Sequence, residues 1–214
     1  MPKEPTRPYH HGDLRPALLR AAVEAIGQAG PAAMSLREVA RRAGVSHAAA
    51  AYHFGDKAGL LTAVAAQGYR MLNDELRSAR ETRRDFLEVG VAYVRFAVSH
   101  RAHFEVMYRP ELYRRDDAEV REAREASGLL LYGTASPDTR QLAAGAAAWS
   151  LVHGIATLWL NGNLPQQLGS DPEEITRLVA RYLDTSADPG ARDVGPVPAA
   201  TTEPGPRPGD PPPP

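Results

Sequence analysis

The 214-residue chain contains no cysteine. This excludes disulfide staples and thiolate metal sites, and it agrees with a reducing cytoplasm. No run of about 18 uninterrupted apolar residues marks a membrane span. The opening MPKEPTRPYHHGDLR lacks the apolar core of a signal peptide. The expectation is therefore a soluble cytoplasmic protein with no membrane association. Strand-like alternation and internal repeats are also missing, which leaves an all-α chain. Aromatic residues are few, with two Trp and four Phe, so each large ring marks a position worth following.

A net charge of -1 gives no case for nucleic acid from the whole-chain balance. Its distribution is uneven. Eight basic and five acidic side chains fall in residues 1–60, an excess of three, which leaves the remainder at -4. A mildly basic head on an acidic body is compatible with one DNA-facing end.

The most informative stretch is SLREVARRAGVSHAAAAYHFGDKAGLL, residues 35–61. Ser35 followed three residues later by Glu38 is a capping box, with hydroxyl and carboxylate each satisfying a backbone donor. Leu36, Val39, Ala40 and Ala43 recur at helical spacing, with Arg37, Glu38, Arg41 and Arg42 on the wet side. Gly44 ends that helix because glycine accepts the left-handed conformation. Val45 plugs the corner, and Ser46 caps a second helix over residues 47–54. This is a helix-turn-helix.

The rest of the chain reads as helices over 13–28, 57–80, 86–101, 102–108, 117–131, 137–161 and 171–184. Gly30 and Pro31 end the first, and Asp56 is the N-cap of the long one. Ser136 and Pro137 form a cap followed by proline at the first helical position. Residues 1–12 read as a flexible arm carrying Lys3, Arg7, His10 and His11. Residues 187–214 are a Pro-rich tail that is disordered by composition. Four segments follow: an arm (1–12), a three-helix DNA-binding head (13–60), a helical regulatory and dimerisation body (61–186) and the tail (187–214).

A first helix, then Gly44-Val45-Ser46, Tyr52-His53-Phe54 and Lys57 to Leu61 in this order and spacing, then a helical body of this length, resembles the TetR/AcrR family of one-component transcriptional repressors. Trp149, His153 and Gly154 are similar to the Trp-His-Gly signature of one C-terminal subclass. The resemblance implies a homodimer that binds double-stranded operator DNA of palindromic sequence and is released by a small-molecule effector, with the last two helices forming the dimer interface. It assigns DNA contact to Arg37, Ser46, His47, Ala48, Ala49, Tyr52, His53 and Lys57. Arg37 can meet guanine in bidentate fashion and Lys57 a phosphate, whereas Glu38 and Arg42, four apart, suit each other.

The sequence departs from the family at residues 48–51, four alanines whose side chains can contact only thymine methyls. Direct readout then rests on Arg37, His47 and Tyr52, with much of the affinity from phosphates.

In the body, Tyr93, Phe96, His100, Phe104, Met107, Trp149 and His153 suggest a mostly apolar effector pocket with a few orienting polar groups. His100, His103 and His153 lack carboxylates at ligand spacing, so no metal and no cofactor is expected. Ser150 and His153 lack an oxyanion hole and a third orienting group, so no enzyme is expected. The alternative is an architectural DNA-binding protein or activator whose body is structural only.

Overall fold

The computed structural model describes residues 14–83, 86–132 and 138–184, in which nine α-helices and two short 3-10 turns occur and no strand. The expected arm, the tail and the Ser136-Pro137 helix start lie outside the described residues.

Helix α1 (Leu14–Ala33) is interrupted at Gly30, whose φ of 76° stops the first segment; one more turn follows through Pro31. Helices α2 (Leu36–Arg42) and α3 (His47–Phe54) pack against it through Leu18, Ile26, Val39, Ala40, Ala50 and Phe54, all buried. The corner between them carries a complete helix-stop motif. Gly44, at φ 70°, donates to the Arg41 carbonyl (3.2 Å), and Val45 donates to that of Ala40 (3.0 Å). At the α2 start, Ser35 accepts from the Glu38 amide as expected (3.2 Å). The other half of the capping box differs: the Glu38 carboxylate turns to Arg41 and Arg42, each at 2.8 Å. Two guanidiniums offer a carboxylate stronger hydrogen bonds than one backbone amide does.

Helix α4 (Lys57–Arg83) runs from the head into the body. Asp56 caps it as the sequence suggests, accepting from the Gly59 amide at 2.8 Å. Along α4, Leu60, Leu61, Val64, Leu72 and Leu76 are almost fully buried, so one continuous core joins head to body. At about 1.5–3 kcal/mol for each such side chain, this shared core holds the two together.

The body adds α5 (Phe86–Ser99), α6 (Arg101–Met107), α7 (Ala118–Tyr132), α8 (Thr139–Leu160) and α9 (Pro172–Asp184). Asp138 is the N-cap of α8, its side chain accepting from the Arg140 amide. Helix α9 is tied to α5 by Arg177, which bonds Glu88 at 2.9 and 3.1 Å. Buried Asn73 of α4 donates to the Ala123 carbonyl of α7 (2.9 Å) and accepts from Ser127 (2.6 Å), which satisfies the polar groups at that contact.

Helix α8 departs from the membrane expectation. By length and composition it could cross a bilayer, because Ser150, His153 and Thr157 interrupt the apolar run without making it polar. Only 22% of its most apolar stretch is buried. Leu142 and Leu158 on α8 and Leu178 on α9 are exposed apolar side chains.

Glycine is required at position 59. A Cβ there would collide with the carbonyl oxygen of Phe54, the last residue of α3, and lie 2.8 Å from the Arg114 guanidinium. Gly59→Ala is expected to lower stability by about 1–3 kcal/mol, the usual cost of overpacking, as measured by denaturant unfolding. A neutral result would contradict this packing.

Candidate DNA-binding and effector sites

The outer surface of α3 is set by its two ends. Ser46 caps the start, accepting from the Ala49 amide at 3.1 Å. Gly55, at φ 75°, turns the chain at the other end and donates to Ala51 (2.7 Å). Ala50 and Phe54 face inward, with Arg15 of α1 stacked over the Phe54 ring at 5.5 Å. Outward lie His47, Ala48 and Tyr52, the last 87% exposed. An aromatic ring this bare on a helix held rigidly at both ends is available to a partner. His53 is half-buried with its ring edge-on to Tyr52, and Ala49 is half-buried against the core.

Arg37 stands exposed on α2 with no ion pair among the described residues. Its neighbours Arg41 and Arg42 are committed to Glu38, whose carboxyl they hold down at about 2. Lys57 has a structural bond that spacing did not reveal: its ammonium donates to the Ala32 carbonyl at 2.7 Å, tying α4 to the last turn of α1. Two of its three protons remain for a phosphate. Asp56, beside it, pairs with Arg114 at 2.9 Å.

Arg114 comes from the body. It follows a 3-10 turn (Pro110–Leu112), and its backbone amide donates to Thr62 of α4 at 3.0 Å. The preceding Tyr113 donates its hydroxyl to the Met107 carbonyl at the end of α6, where Tyr69 of α4 also donates, each at 3.0 Å. A hydrogen-bonded chain thus joins the end of α6 to the N-cap of α4, directly behind α3. Sequence reasoning missed Arg114, because its contacts lie 52 and 58 residues away.

The expected effector residues do not form one group. Tyr93, Phe104, Trp149 and His153 do come together, joined by Tyr108. The His153 ring lies 4.6–6.2 Å from the rings of all four. Burial raises the Tyr93 phenol well above its ordinary value and lowers the His153 imidazole. Tyr93 therefore stays protonated, and its hydroxyl shares a hydrogen bond with His153 Nδ1 at 2.8 Å.

Phe96 and Met107 are fully buried packing residues. His100 stacks on Phe96 and borders a separate groove with Met71 and Glu75. Seven residues, about two helical turns or roughly 10 Å, separate it from Tyr93 along α5 and its end.

Three cavities surround the aromatic group. One, about 300 Å³, is apolar, lies between α5, α8 and α9, and has Arg181 at its edge. A second, about 230 Å³, is bordered by Phe104, Tyr108, Arg109 and His153. The third, about 380 Å³, lies among α4, α7 and α8, with Tyr108, Tyr132 and Trp149 in its wall. Among the described residues no group of three or more His, Cys, Asp or Glu side chains could hold a metal ion.

A helix-turn-helix head joined by one long helix to a body with its own aromatic chamber is an arrangement found in known proteins. Residues 18–64 match the family model for bacterial regulatory proteins of the tetR family, and residues 86–183 that for the tetracyclin repressor-like C-terminal domain. The chain belongs to the TetR family. It is a DNA-binding transcriptional regulator and not an enzyme.

Among TetR-family relatives, the HTH-type transcriptional regulator BetI of Pseudomonas fluorescens is 28% identical, over 86% of this chain and 96% of its own. A Rhodococcus sp. RHA1 protein of unknown function is 34% identical, with a TM-score of 0.68 over 83% of this chain and 96% of its own. NalD, described as the secondary repressor of the MexAB-OprM multidrug efflux pump in Pseudomonas aeruginosa, shares the fold at 22% identity, with a TM-score of 0.53 over 82% of this chain and 97% of its own.

His103 of α6, packed against α4, yields a pH prediction. It is 5% exposed; Nε2 donates to Gln67 at 3.2 Å and Nδ1 has no partner. Burial, with His100 adding repulsion, lowers it from 6.5 to about 4. The unfolded chain therefore takes up a proton below 6.5 that the folded chain refuses until about 4. Stability should fall as pH drops through that window and level off below it. His103→Gln is expected to flatten this slope in urea unfolding at pH 7, 6, 5 and 4; an unchanged slope would assign it to other groups.

Proposed function

We propose that this regulator is a repressor that binds a palindromic operator as a homodimer and leaves it when a small molecule occupies the body. The observation that carries the reading is the outer face of α3, where His47, Ala48 and Tyr52 stand free on a helix capped at both ends. Arg37 reads base edges from α2. Ser46, Ala49, His53 and Lys57 approach the backbone or adjacent methyl groups. Such a protein works where the chromosome is, in the cytoplasm.

Dimerisation is supported by the exposed side of α8 that carries Leu158, with Leu178 exposed on the neighbouring α9. Face-to-face packing of two copies would bury it, and the small residues 143–148 allow close approach of the helices. A second copy covers this face better than lipid does, because the buried side of the same helix is already packed on α5, α7 and α9. Two-fold symmetry then sets the recognition helices about 34–36 Å apart for successive major grooves.

With alanine at positions 48–51, base discrimination is thin and phosphate contacts dominate. Operator affinity should fall steeply with salt, and Arg37→Ala should cost about 1–3 kcal/mol and relax selectivity at one position of each half-site. Footprinting and salt titrations on a duplex obtained by in vitro selection test both. An operator indifferent to every Arg37 substitution would overturn the assignment. A protein coating DNA without a footprint would favour the architectural reading.

Arg114 has a separate expected effect. It neutralises Asp56 at the helix end that meets phosphate. Arg114→Ala should weaken operator binding while changing stability by less than about 1 kcal/mol, since the pair is half-exposed. Equal losses in both would make Arg114 merely structural.

A further inference from the structure

We infer that the chamber among α4, α7 and α8 takes a flat aromatic carboxylate, an inference that rests on the regulator reading above and names its effector class. The wall is aromatic on several sides, with Tyr108 of α6, Tyr132 of α7 and Trp149 of α8 around a space of about 380 Å³. Tyr132 and Trp149 meet edge to face at 5.7 Å, and Tyr108 and Trp149 lie 6.3 Å apart. A slot lined this way favours a planar ring that can stack on one face and meet edges on the other.

The polar groups decide the charge. Arg124, half-buried on α7, and Arg115, exposed at the mouth, border the chamber, and neither is paired with a carboxylate among the described residues. Other body arginines, such as Arg109 and Arg181, also lack a carboxylate partner among the described residues, but of the three cavities around the aromatic group only this one is bordered by two such guanidiniums.

The indole N–H of Trp149 is a further donor. The Tyr93 and Tyr108 hydroxyls are near enough to interact with it, and it is buried without a hydrogen-bond partner of good geometry. Tyr69 and Ser127, which also border the space, already spend their protons on Met107 and Asn73.

The chamber therefore offers donors that lack acceptors, and a carboxylate supplies two acceptor oxygens and a negative charge. Glu125 at the edge is the one opposing charge. A single carboxylate beside aromatic rings would also suit a quaternary ammonium, but two guanidiniums outweigh it. The apolar cavity beside α9 fits this ligand less well, because a single guanidinium, Arg181, borders it, with one of its N–H groups already given to the Arg177 carbonyl.

The position suits regulation. Arg115 follows Arg114, which holds Asp56 behind the recognition helix, and Tyr69 in the chamber wall shares the Met107 carbonyl with Tyr113. A carboxylate drawing on Arg115 pulls on the segment that contacts the head.

The test uses the full chain with 2-naphthoate, its neutral isostere 2-naphthamide, and tetramethylammonium, followed by thermal shift and by quenching of Trp149 fluorescence in a Trp159→Phe background. The expected result is saturable binding of 2-naphthoate, at least tenfold weaker binding of the amide, and no response to tetramethylammonium. Arg124→Gln should bring naphthoate down to the level of the amide. Arg115→Gln, at an exposed position, should do so in part and guards against misfolding of the first variant.

Equal binding of acid and amide, binding of the ammonium alone, no binding of any probe, or indifference to both arginine substitutions would overturn the inference. Operator binding by the unliganded protein is measured alongside. If the unliganded protein binds no operator, the regulator reading fails while a naphthoate result stands; if it binds operator but no naphthoate, the reverse holds.

Discussion

The close approach of Gly59 to the Phe54 carbonyl is the constraint on which the remaining architecture depends. Without a side chain at that position, α4 starts directly beneath the end of α3, and the recognition helix becomes an extension of the body's longest element. Three groups then fit into the same corner. Asp56 caps the new helix, Arg114 reaches in from the body to hold Asp56, and Lys57 crosses to the end of α1. Each is a modest interaction at a partly exposed site. Together they fix one orientation of α3 relative to α4, and that orientation is what DNA meets.

The body follows a different logic. Its polar groups are sparse and mostly satisfied: Asn73 with Ser127 and Ala123, Tyr93 with His153, Tyr69 and Tyr113 on one carbonyl. Buried groups bonded in this way specify which helices lie together without adding much net stability. Against that background the unsatisfied ones are informative. Trp149 and His103 each bury a nitrogen with no partner, and both sit where α8 and α6 meet the aromatic group and α4. A protein that changes state on binding needs some part of its interior incompletely settled.

The head was largely legible in the sequence because its signals are local. Ser35, Gly44, Ser46 and Asp56 act within four residues of themselves, and the structure places each cap and turn where spacing puts it. The partial failure there, Glu38 turning to two arginines, is a competition between local partners that spacing alone does not rank. The body was legible as helices and poorly legible as a site. Trp149 and His153 were found from a family signature and from the scarcity of large rings, and a four-residue step on one helix brings them together. His100 stands apart because it lies seven residues, about two helical turns, beyond Tyr93, at the junction of α5 and α6. Arg114, Arg124 and Tyr132 carried no local mark, since what makes them notable is a neighbour 17 to 58 residues away or the lack of one. The Arg37-to-Lys57 set remains a reading of exposure and family pattern.

Helix α4 joins these two halves, and its length has a mechanical meaning. At about 1.5 Å per residue its 27 residues make a rod of about 40 Å. One end is bonded into the DNA-facing corner and the middle is gripped by α6 and α7. A tilt of about 5° about the gripped middle moves an end about 20 Å away by about 1.7 Å, roughly half the ~3.4 Å rise of one base pair. The molecule can therefore convert a rearrangement too small to disturb its packing into a loss of register on DNA, with α4 acting as the lever arm.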